Sequence, residues 1–463
     1  MNTLEQLFLE YKAARKKEAV VSHEETTFFE MIDFCMHGGQ EADALWLCDD
    51  AIVQYPSVAD FYFRKAALQI KNSLFDEGFV TLKKGAELSP TSLKYFLIHA
   101  DLYLTKKDVQ AALNVLKAAE QVLEQHDLVE IYLSKSRIYR QSNRLESEFA
   151  ALKKALLIDA GHLEAHQRLF WVVERLGFHE DSIELNRHLT GINPYCAWAW
   201  YNLATSLVAM EESEFYDEAI EAYEYAFSIE QNFMRAYAEC ADLYFDMGKY
   251  AAALHYFERA LTAHVNDEGL MTRIAECHLH LGNLEAAETY FLNALELDAD
   301  NEETLFGLGN CRFQQQKYEE AWSDYRKAAQ LNPDDPRYTH ALAVVYAKQT
   351  LYKEAFIYFR KTVDLEPETL QYWFDFIDFL IQNGNADRAD ATLKESELYH
   401  PADPKVDLYF LILMIEKGQR SRALYHLHDL LVSEPQLKNW IFTARPNWAN
   451  EADILKVLRN SSQ

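Results

Sequence analysis

The sequence predicts an all-α repeat array, and three observations carry that reading. A spacing of 34 residues returns along most of the chain, small side chains stand at fixed places within it, and ten Pro and 14 Gly in 463 residues are few enough for a mostly helical chain. The clearest stretch runs from Met234 to Asp267. Counted from Met234 as position 1, Tyr237 stands at 4, Ala241 at 8, Tyr244 at 11, Gly248 at 15, Ala253 at 20, Phe257 at 24 and Ala260 at 27. Steps of 34 from Ala260 reach Ala294, Ala328, Thr362 and Ser396.

Extending the register both ways gives twelve repeats over residues 25–437, with position 27 running from Ala51 to Leu430. Position 20 is Ala, Gly or Ser in eleven of the twelve, and only Glu148 breaks the rule. Close packing explains the pattern. Where two helices approach most tightly, a side chain longer than a methyl holds them apart, and large residues at 4, 11 and 24 fill the space alongside. Gly at position 15 (Gly39, Gly177, Gly248, Gly282, Gly384, Gly418) suits a left-handed turn between the helices, and Asn143 tolerates it too. Pro at position 32, from Pro56 to Pro435, stops the second helix.

This unit resembles the tetratricopeptide repeat, a 34-residue helix-turn-helix with this spacing of small and aromatic residues. The resemblance implies an α-α superhelix of right-handed sense, with first helices lining a concave groove into which positions 2, 5, 9, 12 and 13 point. Chaperone-binding members use Lys at position 5 and Asn at position 9 to clamp a carboxylate. Here no Lys stands at position 5, and Asn310 is the sole Asn at position 9, so the carboxylate clamp is not supported.

The ends and the irregularities complete the organisation. Residues 1–24 read as a capping helix, with Leu4, Leu7, Phe8 and Tyr11 at helical spacing. Residues 438–463 read as a second cap, with a helix start at Asn450 and an apolar face of Ile454, Leu455, Val457 and Leu458; the alternative is an exposed aromatic patch from Trp440, Ile441, Phe442 and Trp448. One step of 36 puts two extra residues near Glu124–Leu128, and one of 37 puts three near Glu211–Tyr216. Phe170 and Leu189 stand at positions 8 and 27 of repeat five, which predicts a wider joint, a bend or hinge, within residues 163–216.

Composition narrows the function. A net charge of −28 repels phosphate backbones and disfavours nucleic acid as a partner; it favours solubility and basic partners. The six Cys show no metal-like spacing, and Cys35, Cys48 and Cys240 fall on core positions, as expected in a reducing compartment. Glu5 and Glu10 interrupt any signal-peptide run, and no 18-residue apolar segment exists, so the expectation is a cytoplasmic protein without membrane insertion. The repeats leave about 50 residues, too few for a catalytic domain. His162 and His166 lack the H-E-x-x-H order, His278 reads as a packed histidine, and Gly307 and Gly309 lack the strand of a phosphate loop. Neither a metal nor a cofactor is expected.

A binding surface remains. Position 5 is largely aromatic or apolar, and Phe306 with Asn310 marks one stretch of groove. In repeats four to six, Arg137, Arg140 and Arg175 fall beside Trp171, Trp198 and Tyr201, where guanidinium groups next to flat rings suit an acidic group or a partner's ring. Those Arg equally suit pairing with Glu164 and Glu174. The expected function is a non-enzymatic adaptor that binds a peptide or helix in its groove. The alternatives are a self-associating structural protein and the non-catalytic subunit of a separate enzyme.

Overall fold

The structure is a computed structural model that describes residues 3–15, 23–262 and 266–461. Among the described residues every regular element is a helix. The chain divides into two compact bodies, Met1–Ala236 and Tyr237–Gln463. From Glu25–His37 to Arg420–Ser433, twelve pairs of helices follow one another, one pair per 34-residue register.

All twelve turns between paired helices place their position-15 residue in the left-handed region. Six of these are the glycines named above, and Asn143 takes φ 53°. The other five are Ser73, Lys107, Glu211, Gln316 and Thr350, at φ between 57° and 64°. In most of these turns the next N–H reaches back five residues, as from Gln40 to the Cys35 carbonyl and from Leu74 to the Gln69 carbonyl, both at 2.8 Å. The two long steps become short 3-10 turns at Gln125–Asp127 and Ser213–Phe215.

The core is the stacked inner surface of the pairs. Ala44, Ala112, Ala253, Ala287 and Ala321 are fully buried at position 20. A methyl on Gly309 would lie 2.5 Å from the Tyr325 ring, and one on Gly85 2.7 Å from Phe63, so these positions admit nothing larger than hydrogen without movement. Repeat five is different. Its helices, Leu163–Leu176 and His179–Ile192, approach each other much less closely than those of repeats four and six. Buried Phe170 and Leu189 stand in the seam, and a polar network packs beside it. Ser206 Oγ donates to Ser182 Oγ at 2.8 Å, and Asn202 Nδ2 donates to the His166 carbonyl at 3.1 Å.

At the N-terminus, the Thr3–Arg15 helix buries Phe8 and Tyr11 in the cluster of Phe28, Met31 and Ile32. Tyr11 donates to Asp50 at 2.8 Å, and Lys12 and Arg15 pair with Asp43 and Asp50. Residues 1–2 and 16–22 of the expected cap lie outside the described residues. At the C-terminus, the Ala452–Asn460 helix buries Ile454, while Arg420 bonds Asp453 at 2.7 Å and pairs with Glu451.

Candidate functional site

The first body holds the Arg and Trp residues singled out in repeats four to six. The Leu128–Gln141 helix exposes Arg137 and Arg140, and the Leu163–Leu176 helix exposes Trp171 and Arg175. Arg137 grips both oxygens of Glu164, at 3.0 and 3.1 Å. Burial alone would raise the Glu164 carboxyl; the bonds from Arg137 and Arg168 outweigh it and hold the group below its ordinary value. Arg175 donates to Asn143 at 3.4 Å. The pairing with Glu164 is therefore what the structure shows for Arg137. Tyr201 is fully buried rather than groove-lining, because Phe170, Trp198 and Phe233 close over it with ring centroids 5.6, 5.4 and 4.9 Å away. Trp198 is half-buried in the same cluster, and Trp171 is 53% exposed.

The cation that does cover these rings is Arg235, at position 2 of repeat seven. Its guanidinium lies 4.3 Å from the Phe170 centroid, 5.3 Å from Trp171 and 5.8 Å from Tyr201. Proximity in the chain favours Arg137, Arg140 and Arg175 instead. The missed signal was an Arg at a groove position one repeat further on.

The second body brings Phe306 and Asn310 together on the Glu302–Gln314 helix, at the wall of a cavity of about 300 Å³. The neighbouring Pro336–Lys348 helix adds Arg337, His340 and Val344, and Tyr372 comes from Leu370–Gln382. Tyr325 donates its hydroxyl to Asn310 Oδ1 at 2.8 Å, which fixes the amide and leaves its NH₂ as the donor. Arg337 is saturated: it bonds Asp335 at 2.6 Å and Glu303 at 2.5 Å, and covers the Phe306 ring at 5.7 Å. His340 Nε2 lies 2.9 Å from Asp375 Oδ2 without the alignment of a hydrogen bond, and its ring meets Tyr372 at 5.0 Å. A second cavity of about 560 Å³ shares Val344 and is lined by Lys348, Asp375, Asp378, Phe379 and Gln382. Arg337, His340 and Tyr372 went unselected in the sequence, although Arg337 and His340 hold positions 2 and 5.

Such a trough suits an extended chain: rings for apolar side chains, one amide for a backbone carbonyl, and charges already balanced. Among the described residues no group of three or more His, Cys, Asp or Glu side chains is disposed to hold a metal ion. All six cysteines are buried thiols, and burial pushes those of Cys35, Cys48 and Cys277 up to about 12. No helix among the described residues is long and apolar enough to cross a membrane.

Paired helices in tandem, with side chains of successive first helices converging on a trough, define an α-helical solenoid of the protein-binding kind. The chain carries tetratricopeptide repeats: models of that repeat match residues 129–162, 240–302 and 309–349. Proteins of this class serve in general as scaffolds for protein interactions. Among solved structures the chain is similar to MamA, at 19% identity over 33% of this chain and 90% of that one, with a TM-score of 0.32. It is similar to YrrB, described as a TPR protein with an unusual peptide-binding site, at 22% identity over 40% and 95%, TM-score 0.34. It is also similar to a chain of the APC/C hetero-tetramer Cut9–Hcn1, at 14% identity over 91% and 94%, TM-score 0.42. Comparison with curated proteins gives no match.

Proposed function

We propose that this protein is a non-enzymatic adaptor that holds an extended peptide of a partner protein along the first helices of repeats nine to eleven. The observation that carries the reading is the cavity of about 300 Å³ between Phe306, Asn310 and Tyr372, with the Asn310 amide oriented by Tyr325. Phe306 replaces the cation of a carboxylate clamp with an apolar wall, and Arg337 is neutralised by Glu303 and Asp335. The trough therefore favours an internal segment with an apolar anchor over a free chain end. The same reading takes residues 25–437 as the repeats and the flanking segments as caps. The six thiols pack as small core residues, which supports a reducing, cytoplasmic setting.

The test is selection of peptides from a displayed random library on the full-length chain, followed by affinity measurement with labelled peptides. Phe306→Ala and Asn310→Ala are each expected to weaken the selected peptides at least tenfold, or about 1.4 kcal/mol. Tyr425→Ala, 67% exposed on the second helix of repeat twelve, is expected to leave them unchanged. Equal affinities for all three variants would remove the trough as the binding face.

A further inference from the structure

Beyond the last repeat, the chain turns back over the first helices of its own body. The Leu437–Ala444 helix sets Trp440 against the rings of Phe374 and Tyr409, with centroids 5.5 and 6.0 Å away. Those two rings stack on each other at 3.9 Å, and Lys405 stands over the indole at 5.4 Å. Five residues after Trp440, Arg445 bonds Asp378 through both nitrogens, at 2.6 and 3.0 Å, across 67 residues of chain. Its guanidinium also covers Tyr409 at 5.3 Å, and the Tyr409 hydroxyl donates to Asp378 at 3.2 Å.

Phe374 and Asp378 hold positions 5 and 9 of repeat eleven, the same two positions that Phe306 and Asn310 hold in repeat nine. Asp378 also lines the cavity of about 560 Å³ that continues from the Phe306 trough through Val344. The trough thus ends on a stretch already filled: Trp440 and Arg445 lie on it, while Leu437, Ile441 and Trp448 of the same segment are buried in the cluster around Phe374 and Tyr409 rather than forming an exposed aromatic patch.

We propose that Trp440 and Arg445 form a tethered ligand of the repeat-eleven face, and that this face, once vacated, takes a partner peptide of the same chemistry: an aromatic side chain with an arginine five residues later. Charge favours the cation, since Asp375 and Asp378 line this end of the trough in a chain of net charge −28. Geometry favours the aromatic, since the Phe374–Tyr409 stack offers a flat bed. The short link from the last repeat keeps the tether at an effective concentration on the order of millimolar, so the face is closed in the resting protein. The repeat-eleven face adjoins the repeat-nine cavity through Val344, but Phe374, Asp378 and Tyr409 do not line that cavity, so the two can be tested separately.

The experiment uses the full-length chain and a fluorescein-labelled peptide of residues 437–446, LKNWIFTARP, read by fluorescence anisotropy. The double variant Trp440→Ala/Arg445→Ala is expected to bind it at least tenfold more tightly than the unaltered protein. Arg445→Glu, which keeps the indole, is expected to give a smaller gain of the same sign. Adding Asp378→Arg to the double variant is expected to abolish binding. Hydrogen exchange over Leu370–Gln382 and Pro404–Glu416 is expected to stay protected throughout. No gain on release would overturn the proposal. Loss of that protection would overturn it as well, because the segment would then be part of the fold. Doubling of mass by light scattering on release would make the occupant a second copy of the chain and overturn the assignment to a foreign peptide.

Discussion

Glu148 and Arg168 meet inside the first body, Oε1 to Nη2 at 3.3 Å, with 1% and 8% of their surfaces exposed. Glu148 stands where the other repeats carry Ala, Gly or Ser. Burial pushes its carboxyl above the ordinary range against the pull of Arg168, and burial lowers Arg168 against the pull of Glu148. Such a pair contributes little net stability, but removing one partner strands a buried charge, which costs about 3–5 kcal/mol. Glu148→Ala leaves Arg168 with Glu164, at 3.4 Å, as its carboxylate partner and is expected to destabilise by the lower end of that range. Glu148→Ala with Arg168→Met is expected to recover most of the loss, because no charge is then left behind. Urea unfolding followed by circular dichroism checks both, and equal losses in the single and double variants would show that the pair matters only through its volume.

Two helical glycines separate packing from propensity. A methyl at Gly191 would meet nothing within 4 Å, whereas one at Gly309 would lie 2.5 Å from a Tyr325 ring that is 2% exposed and tied to Asn310. Ala is favoured over Gly in a helix by about 1 kcal/mol, and overpacking costs about 1–3 kcal/mol. Gly191→Ala is therefore expected to raise the urea midpoint and Gly309→Ala to lower it. A rise in both would mean that the repeat-nine seam yields easily.

The repeats were legible because close helix contact permits so few side chains at position 20. The turns were legible only in part. Six Gly and Asn143 announce a left-handed residue, but Lys107, Glu211 and Thr350 adopt the same φ with no local preference for it. The packed helices on either side impose it. In the site, Phe306 and Asn310 were readable because both lie on one helix face within one repeat. Which arginine covers the aromatic cluster was not. Spacing favours Arg137, Arg140 and Arg175, yet a long side chain from the next repeat but one, Arg235, reaches over Phe170. The Arg445–Asp378 bond spans 67 residues and leaves no periodic trace at all.

Trp171 and Tyr201 looked alike as groove aromatics, and burial now separates them. Trp171 is 53% exposed and Tyr201 fully buried. Trp171→Ala is expected to change stability by less than about 1 kcal/mol, with any effect falling on partner capture. Tyr201→Ala empties a site ringed by Phe170, Trp198 and Phe233 and is expected to cost about 3–5 kcal/mol. Thermal melting of the two single variants separates them. A double variant would confuse binding with folding, so a surface role rests on Trp171 alone.

Acid should stabilise the second body at one buried carboxyl rather than destabilise it. Asp324 is 8% exposed and bonds Arg312 at 2.8 and 3.0 Å, while Glu288 and Glu320 compete for the same guanidinium at 3.1 and 3.4 Å. Burial outweighs the pull of Arg312 and raises the Asp324 carboxyl from 3.8 to about 6. The folded state therefore binds this proton more tightly than the unfolded chain does. The stability so gained is full below 3.8, declines as pH rises, and is gone above about 6. Asp324→Asn mimics the protonated acid at every pH. Its stability relative to the unaltered protein is expected to climb by roughly 2–3 kcal/mol between pH 4 and 6.5 and then level off. Urea midpoints at pH 4.5, 5.5 and 7 trace that climb, and a difference that stays flat would mean that Arg312 holds Asp324 ionised throughout.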